Sequence, residues 1–526
     1  MVAIPTPVKP RLSSSASLLA VALAVGGALR FATLGQQSLD EDETVTVWLV
    51  HLPLPKLLAT IPRAESTPPL YYLIAWPWSR VFGSGAIGLR SLSAVIGVAA
   101  IWACYLAARA LLNRRAGVIA ALLAALSPAL IWYSQEARAN ELLILTSALA
   151  LLFFARSTAD LRAGSAPAWN LGLWALAAVL SLLSHYFAAF LLIPQAVWLL
   201  AQARRAKRRA PFAAVCAVAF AALALLPLIA RQRANNGTSW IASIPLSGRL
   251  EDVPPQMLLG EGRPFLHFFA LATGVLVVAP VALLVVRGRQ TERRAALVPI
   301  VIGCSGVLLA VLVDLAGQHI LVDRNTVGAG TVLLIACAVG MAASRPSWIG
   351  LGALGGVGAL FVWALVLVLS NPLHQREDWR DASRLLGLPT VARAVLYGPA
   401  TNNPAPVPPL VPFQAVYLKS MLTMPNRGWN VREIDVLNVR DDLSETSAAP
   451  HPVSPGRGFR LMDREGGRAY TLFRFRSVRP VHITPDELIG DELLANREEE
   501  DTLVGLQLPS YRSASAAARA SSAARH

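Results

Sequence analysis

Apolar stretches of bilayer length dominate this chain and leave few folds open to it. A helix needs about 20 mostly apolar residues to cross the hydrocarbon core, and lipid requires every backbone polar group to be satisfied within the spanning structure. About eleven segments meet that description, at 13–34, 88–112, 116–133, 139–156, 168–186, 187–203, 211–230, 265–286, 295–315, 326–343 and 348–370. Of the 526 residues, 55% are hydrophobic and 15% charged, well below the roughly 25% charged residues of a soluble domain. The predicted fold class is an α-helical polytopic membrane protein with about 11 transmembrane helices, followed by a small α/β domain.

The net charge of +15 invites a nucleic-acid reading, which the distribution excludes. Arginines cluster in short turns between apolar runs, at 114–115, 156–162, 204–209, 287–294 and 345. These turns fall on one side of the predicted topology, as the positive-inside rule requires. The N-terminus is then cytoplasmic. The other side receives the segment 35–80, the turns at 133–138, 185–186 and 314–324, and the loop 231–264. An uncleaved first span is preferred to a signal peptide, because the run is long for one and cleavage would detach it from the acidic cluster that follows. The four cysteines lie inside apolar runs, which argues against a disulfide framework.

Three regions result: a transmembrane module at 1–370, an extracytoplasmic α/β domain at 371–496 and a disordered tail at 497–526. Within the second, 377–386 has helical spacing, 394–397, 431–436, 458–462 and 470–475 read as strands, and the Pro/Asn-rich 398–412 reads as a loop.

Asp40-Glu41-Asp42-Glu43 follows the first span directly. Ionised groups beside a bilayer are costly and often functional. A carboxylate here can act as a general base toward an acceptor hydroxyl or as an oxygen ligand to a divalent cation. The plain alternative is a solvated acidic loop. The same side of the membrane carries Glu65-Ser66-Thr67-Pro68-Pro69-Leu70-Tyr71-Tyr72, with two tyrosines suited to the interface. Ser134-Gln135-Glu136-Ala137-Arg138 adds a second carboxylate and a cation, or simply a local pair capping a helix. His185 stands at an external helix end as a contact for sugar, phosphate or metal, or as an ordinary hydrogen-bonded histidine. Arg138 and Arg324 both close external turns, where guanidiniums suit phosphate oxygens. The glycines at 352–358 lie within a span, where small residues pack helices.

Taken in order, Ser38-Leu39, Asp42-Glu43, Thr67-Pro68-Pro69-Leu70-Tyr71-Tyr72, Leu89-Arg90-Ser91, Tyr133-Ser134-Gln135-Glu136-Ala137-Arg138 and His185-Tyr186-Phe187 resemble the bacterial GT-C glycosyltransferases. The branch is that of protein O-mannosyltransferases and aminoarabinose-transferase-like enzymes. Trp240-Ile241, Asp323-Arg324-Asn325 and Asp378-Trp379-Arg380 extend the resemblance over about residues 13–390. Asp40 and Glu41 are extra acids, and Thr67 stands where many relatives have His.

The resemblance implies a plasma-membrane enzyme of a bacterium that moves a mannose- or arabinose-like sugar from a polyprenyl-phosphate carrier to a glycan, lipid or protein acceptor on the outer face. It implies Asp42 as base with Glu43 beside it and Glu136 joining them. Arg138, Arg324, His185, Tyr71 and Tyr72 are the expected substrate contacts, and Asp42 with Glu136 the expected site of any divalent cation. The competing classes are a secondary transporter or lipid flippase, and a membrane-anchored binding protein. Transporters place ionisable groups near the midplane within repeated halves, whereas the charges here gather at one face.

Overall fold

The computed structural model describes residues 14–165, 168–234, 240–260, 266–371, 374–376, 378–397, 416–417, 421–439, 454–466, 470–490 and 503–509. The helices run in chain order as α1 (Ser14–Phe31), α2 (Glu41–His51), α3 (Leu54–Ala64), α4 (Leu70–Phe82), α5 (Ala86–Leu111), α6 (Arg114–Leu126), α7 (Pro128–Ser134), α8 (Asn140–Arg162), α9 (Ala168–Ser184) and α10 (Ala188–Ala206). They continue as α11 (Ala210–Ala224), α12 (Leu226–Arg233), α13 (Trp240–Ser243), α14 (Leu246–Leu259), α15 (Leu266–Arg287), α16 (Gln290–Val313), α17 (Asp323–Ala343) and α18 (Ser347–Ser370).

Each of the apolar runs coincides with a helix or a broken helix pair. Among the described residues, six helices are long and apolar enough to cross a membrane, and seven if the bent pair α6–α7 counts as one span. The remaining runs form shorter or less uniform helices, since Pro, Gly and terminal arginines interrupt them. The α6–α7 pair bends by 62°. Ser127 ends α6 and caps α7 through its side chain, and Pro128, lacking an N–H, fits only the first helical turn. The bundle core is rich in small side chains, among them Ala100, Ala116, Ala120, Ala124 and Ala148, which allow close helix approach. Gly97 of α5 is one such contact: a Cβ there would lie 2.8 Å from Arg30 Nε and Ser134 Cβ.

The segment 35–80, expected as a loop, is mostly helical. Helices α2, α3 and α4 pack on α5 around Leu49, Leu57, Ile61, Tyr71, Tyr72 and Leu89. Tyr71 and Tyr72 are fully buried in this cluster rather than displayed at an interface. The spacing Leu57/Ile61 supplies the helical stripe.

A buried ion pair at its start ties this segment to the bundle. Arg90 of α5 grips Glu43 of α2 with both Nε, at 2.8 Å, and Nη2. The same guanidinium donates to the carbonyls of Leu34, Gln37 and Ser38 at 3.1, 2.9 and 2.6 Å. Glu43 Oε1 also accepts from Ala137 N at 2.7 Å.

Beyond α18 lies a six-stranded sheet in the order β2-β6-β1-β3-β5-β4, built from β1 (Arg393–Tyr397), β2 (Leu422–Thr423), β3 (Trp429–Val439), β4 (Arg460–Gly466), β5 (Tyr470–Ile483) and β6 (Leu503–Gln507). Strands β1 and β3 are parallel; the other pairs are antiparallel. Helix α19 (Trp379–Leu386) covers one face through Trp379, Ala382 and Leu386 against Val395, Tyr397 and Leu437. Ala394, Leu396, Ile434 and Phe475 line the other face, where Leu488 of α20 (Pro485–Gly490) packs.

The expected strands are present with longer bounds. The tail reading fails at β6: Leu503-Val504-Gly505-Leu506 pairs with β1 and β2, because apolar residues there can fill the gap between two strands. The rest of that tail, from 510, and the 398–412 loop lie outside the described residues.

Glu43→Ala should leave the Arg90 charge buried and unpaired, a loss of about 3–5 kcal/mol. The expected result is a marked drop in the melting temperature of the detergent-solubilised protein. A wild-type melting temperature would show that the pair does not hold the loop.

Candidate active site

The consecutive acids enter different environments because a helix begins among them. Asp40 caps α2, accepting from Glu43 N at 3.2 Å, while Glu43 Oε2 accepts from Asp40 N at 3.0 Å. This reciprocal box turns Glu43 inward to Arg90, and the helix dipole favours negative charge at this end. Glu43, expected beside the base, is fully buried and serves as an anchor. Asp42 faces the other way, with 37% of its side chain exposed.

Asp42 meets both predicted arginines. Arg324 Nη1 donates to Asp42 Oδ2 at 2.7 Å, and Arg138 Nη2 lies 3.6 Å from the same oxygen. Arg138 Nη1 donates to the Asp42 carbonyl at 3.3 Å and to Glu65 Oε1 at 2.8 Å. Burial raises the Asp42 carboxyl, but the Arg138 and Arg324 guanidiniums outweigh it and hold it below the ordinary aspartate value.

The chain puts Arg324 there through two ties. Tyr133 OH donates to Asp323 Oδ2 at 2.7 Å, fixing the start of α17. Asp314 Oδ1 accepts from Ile320 N, Leu321 N and Arg249 Nη1 at 2.7, 3.0 and 2.5 Å, shaping the preceding turn. The turn after α7 works residue by residue. Gln135 Nε2 donates to Leu29 O at 2.9 Å and to Thr33 Oγ1 at 2.6 Å, Ala137 O accepts from Thr46 Oγ1 at 2.9 Å, and Arg138 reaches Asp42.

Glu136 lies apart from this group. Asn140 Nδ2 donates to its Oε2 at 2.9 Å. Burial, with Asp40 and Glu43 nearby, pushes its carboxyl up to about 7 against the pull of Arg376. Arg376 lies over the Trp132 ring at 4.1 Å, with Nε 4.0 Å from both Asp40 Oδ2 and Glu43 Oε2.

Among the described residues, no three His, Cys, Asp or Glu side chains converge to hold a metal. Asp42 and Glu136, the residues expected at any cation site, meet different partners. Asp42 is already matched by two guanidiniums, and Glu136 shares its surroundings with Asp40, Glu43 and Arg376.

His185 is buried, accepts from Phe187 N at 3.4 Å through Nδ1 and lies within electrostatic reach of Arg324 and Arg138. Tyr71 OH bonds Ser93 Oγ at 3.1 Å and so belongs to the packing. Tyr72 OH bonds Thr67 Oγ1 at 3.2 Å and also Glu65, which places it behind the site.

The sequence reading assigned no role to Glu65 and Arg376. Glu65 opens the Pro-Pro-Leu-Tyr-Tyr segment, so its position was visible. Arg376 lies 244 residues from Trp132 and carries no local signal.

Residues 66–230 match the family described as Dolichyl-phosphate-mannose-protein mannosyltransferase. The apo structure of ArnT from Cupriavidus metallidurans superposes with a TM-score of 0.54 at 12% identity, covering 88% of this chain and 98% of that one. The chain shares the ArnT fold. ArnT bound to undecaprenyl phosphate aligns at a TM-score of 0.47 and 12% identity, over 87% and 97% of the two chains. The oligosaccharyltransferase AglB from Archaeoglobus fulgidus, in complex with an inhibitory peptide and a dolichol-phosphate, aligns at 0.42 and 14%, over 72% of this chain and 58% of its own. No curated protein matches the sequence. The family match takes in Tyr71, Tyr72, Glu136, Arg138 and His185, while Asp42 and Arg324 lie outside it.

Because the folded Glu136 carboxyl titrates at about 7, above its ordinary 4.5, its contribution to stability is full below the lower value and is lost as pH rises to the upper. Glu136→Gln should therefore melt above the wild type at pH 8 and with it at pH 4.5. A difference that does not change with pH would show that Glu136 does not titrate in this range.

Proposed function

We propose that this chain transfers a mannose- or arabinose-like sugar from a polyprenyl-phosphate carrier to an acceptor hydroxyl on the outer face of a bacterial plasma membrane. The observation that carries the reading is the Asp42 carboxylate held by Arg324, a guanidinium with 32% of its side chain exposed. Beside Arg324 in sequence, Asn325 and Thr326 line a largely apolar crevice with Leu143, Phe187, Phe190 and Leu191. A carrier phosphate needs an accessible cation of the kind Arg324 supplies.

In this reading the acceptor oxygen attacks the anomeric carbon while its proton passes to Asp42. The bond from that carbon to the phosphate oxygen breaks, and the carrier leaves as an anion paired with Arg324. Asp42 is ionised before substrate arrives, as a base must be. Donor phosphate that draws Arg324 away then removes one stabilising cation from Asp42 and makes it more basic. Arg138 is buried between Asp42 and Glu65, so it orients the carboxylate rather than sharing the phosphate. No observation favours the transporter reading.

The decisive assay supplies purified protein with a panel of polyprenyl-phospho-sugars and reads products by mass. Asp42→Asn should lower turnover by about 10²–10⁴-fold, and Asp40→Asn, which keeps the helix cap and removes only a charge, much less. The reverse order would move the base to Asp40. Arg324→Ala should abolish binding of a non-hydrolysable polyprenyl-phosphate analogue and Arg324→Lys weaken it, since lysine offers a point charge in place of a fork. Equal affinity in all three proteins would remove Arg324 from the donor site. The orientation proposed here has N-terminus inside and sheet domain outside. A reporter fused after Leu386 should be active only beyond the cytoplasm, and cytoplasmic activity would invert it.

A further inference from the structure

We propose that Glu65 is a positioning residue for the reaction, setting the orientation and basicity of Asp42 through their shared partner Arg138. The inference rests on the reading of Asp42 as base and goes beyond it.

Glu65 ends α3, at the residue where the chain turns toward the Pro68-Pro69 segment. Its side chain is almost wholly buried, and a carboxylate in that setting needs compensation. It receives two donors. Arg138 Nη1 donates to Oε1 at 2.8 Å, and the Tyr72 hydroxyl, itself bonded to Thr67 Oγ1 at 3.2 Å, supplies the other. Arg138 is thereby fixed at one end by Glu65. Its Nη2 is left 3.6 Å from Asp42 Oδ2 while Nη1 also touches the Asp42 carbonyl.

The guanidinium is divided between two carboxylates, and the closer contact is with Glu65. Asp42 consequently feels only part of the Arg138 charge, and it feels the Glu65 anion as well. The charged groups around this pair come from every packed element: Asp40 and Glu43 on α2, Tyr72 on α4, Glu136 and Arg138 on the turn after α7, His185 between α9 and α10, Arg324 on α17, and Arg376 after α18. Arg138 contacts both Glu65 and Asp42.

Neutralising Glu65 releases Arg138 entirely to Asp42. The aspartate then becomes a weaker base with a lower titration midpoint, and its carboxylate is drawn toward Arg138. Donor binding, which in this scheme uses Arg324, is untouched. Glu65→Gln should lower kcat by about 10- to 100-fold with the KM for donor within about twofold, since the effect falls on orientation and basicity alone. The acid limb of the pH–rate profile should move to lower pH. A merely structural role would reduce kcat without moving that limb.

The test reads Asp42 directly. Carboxylate infrared titration of the full-length protein in nanodiscs, with Asp42→Asn subtracted to isolate the signal, gives its midpoint without substrate. The expected result is a lower midpoint in Glu65→Gln and a smaller fall in Glu65→Asp, whose carboxylate is kept but withdrawn from Arg138. An unmoved midpoint in a Glu65→Gln protein of native melting temperature would overturn the proposal. If that variant does not fold, Glu65→Asp decides, and an unmoved midpoint there overturns it equally. A shifted midpoint in a protein that transfers no sugar would sink the enzymatic reading and leave the coupling through Arg138 standing.

Discussion

The site depends on an ion pair that takes no part in the chemistry. Arg90 and Glu43 are both buried to within 1% of full burial, and one guanidinium satisfies Glu43 together with three carbonyls of the 34–38 turn. A buried pair of this kind is weak evidence of net stability, because desolvation offsets much of its attraction. Its value lies in specificity. Only one rotation of α2 lets Glu43 reach Arg90 and Ala137 N together, and that rotation directs Asp42 to the exposed side.

The sheet domain holds the same turn from the opposite direction. Ser38 Oγ donates to Asp378 Oδ1 and accepts from Arg380 N, each at 3.0 Å. Arg380 donates to Gly35 O at 2.7 Å and Gln37 O at 2.9 Å, and Tyr417 OH to Leu39 O at 2.6 Å. Five residues ahead of α2 are therefore clasped between a membrane helix and a sheet domain. In the proposed reaction the base must be held within a few tenths of an ångström to act. A loop tied at both ends by buried hydrogen bonds meets that demand better than a free acidic turn.

Environment, not residue type, divides the carboxylates. Glu43 is neutralised by Arg90, Glu136 is raised by burial among other acids, and Asp42 is lowered by two arginines. Three groups of one chemistry therefore sit at different points of the pH scale within a few helical turns, a pattern common where acid and base roles are assigned. Arg138 changes role for the same reason. Beside Glu65 it is a fixed support, whereas Arg324 keeps about a third of its side chain exposed, as the proposed phosphate contact requires.

The sequence alone determined the helical bundle. The apolar runs, their basic turns and the Pro and Gly breaks are local features, and lipid leaves a helix as the only way for such a run to satisfy its backbone. It also marked Asp42, Arg138 and Arg324, since charged residues at the ends of apolar runs stand out against 15% charged composition. The alternation in the C-terminal domain marked four strands. Short β6 escaped because strand pairing is non-local, and Leu503–Gln507 is recognisable only once the gap between β1 and β2 exists.

Only the tertiary structure decided which acid is an anchor and which is open, since a helix start inside Asp40–Glu43 separates adjacent side chains by rotation. It alone brought Arg324 to Asp42, 282 residues away. It also buried Tyr71 and Tyr72, because the amphipathic helices of the first loop cover them. Sequence records what each segment prefers in lipid or water. The pairing of charges across hundreds of residues follows from how the segments pack, and that is a property of the whole bundle.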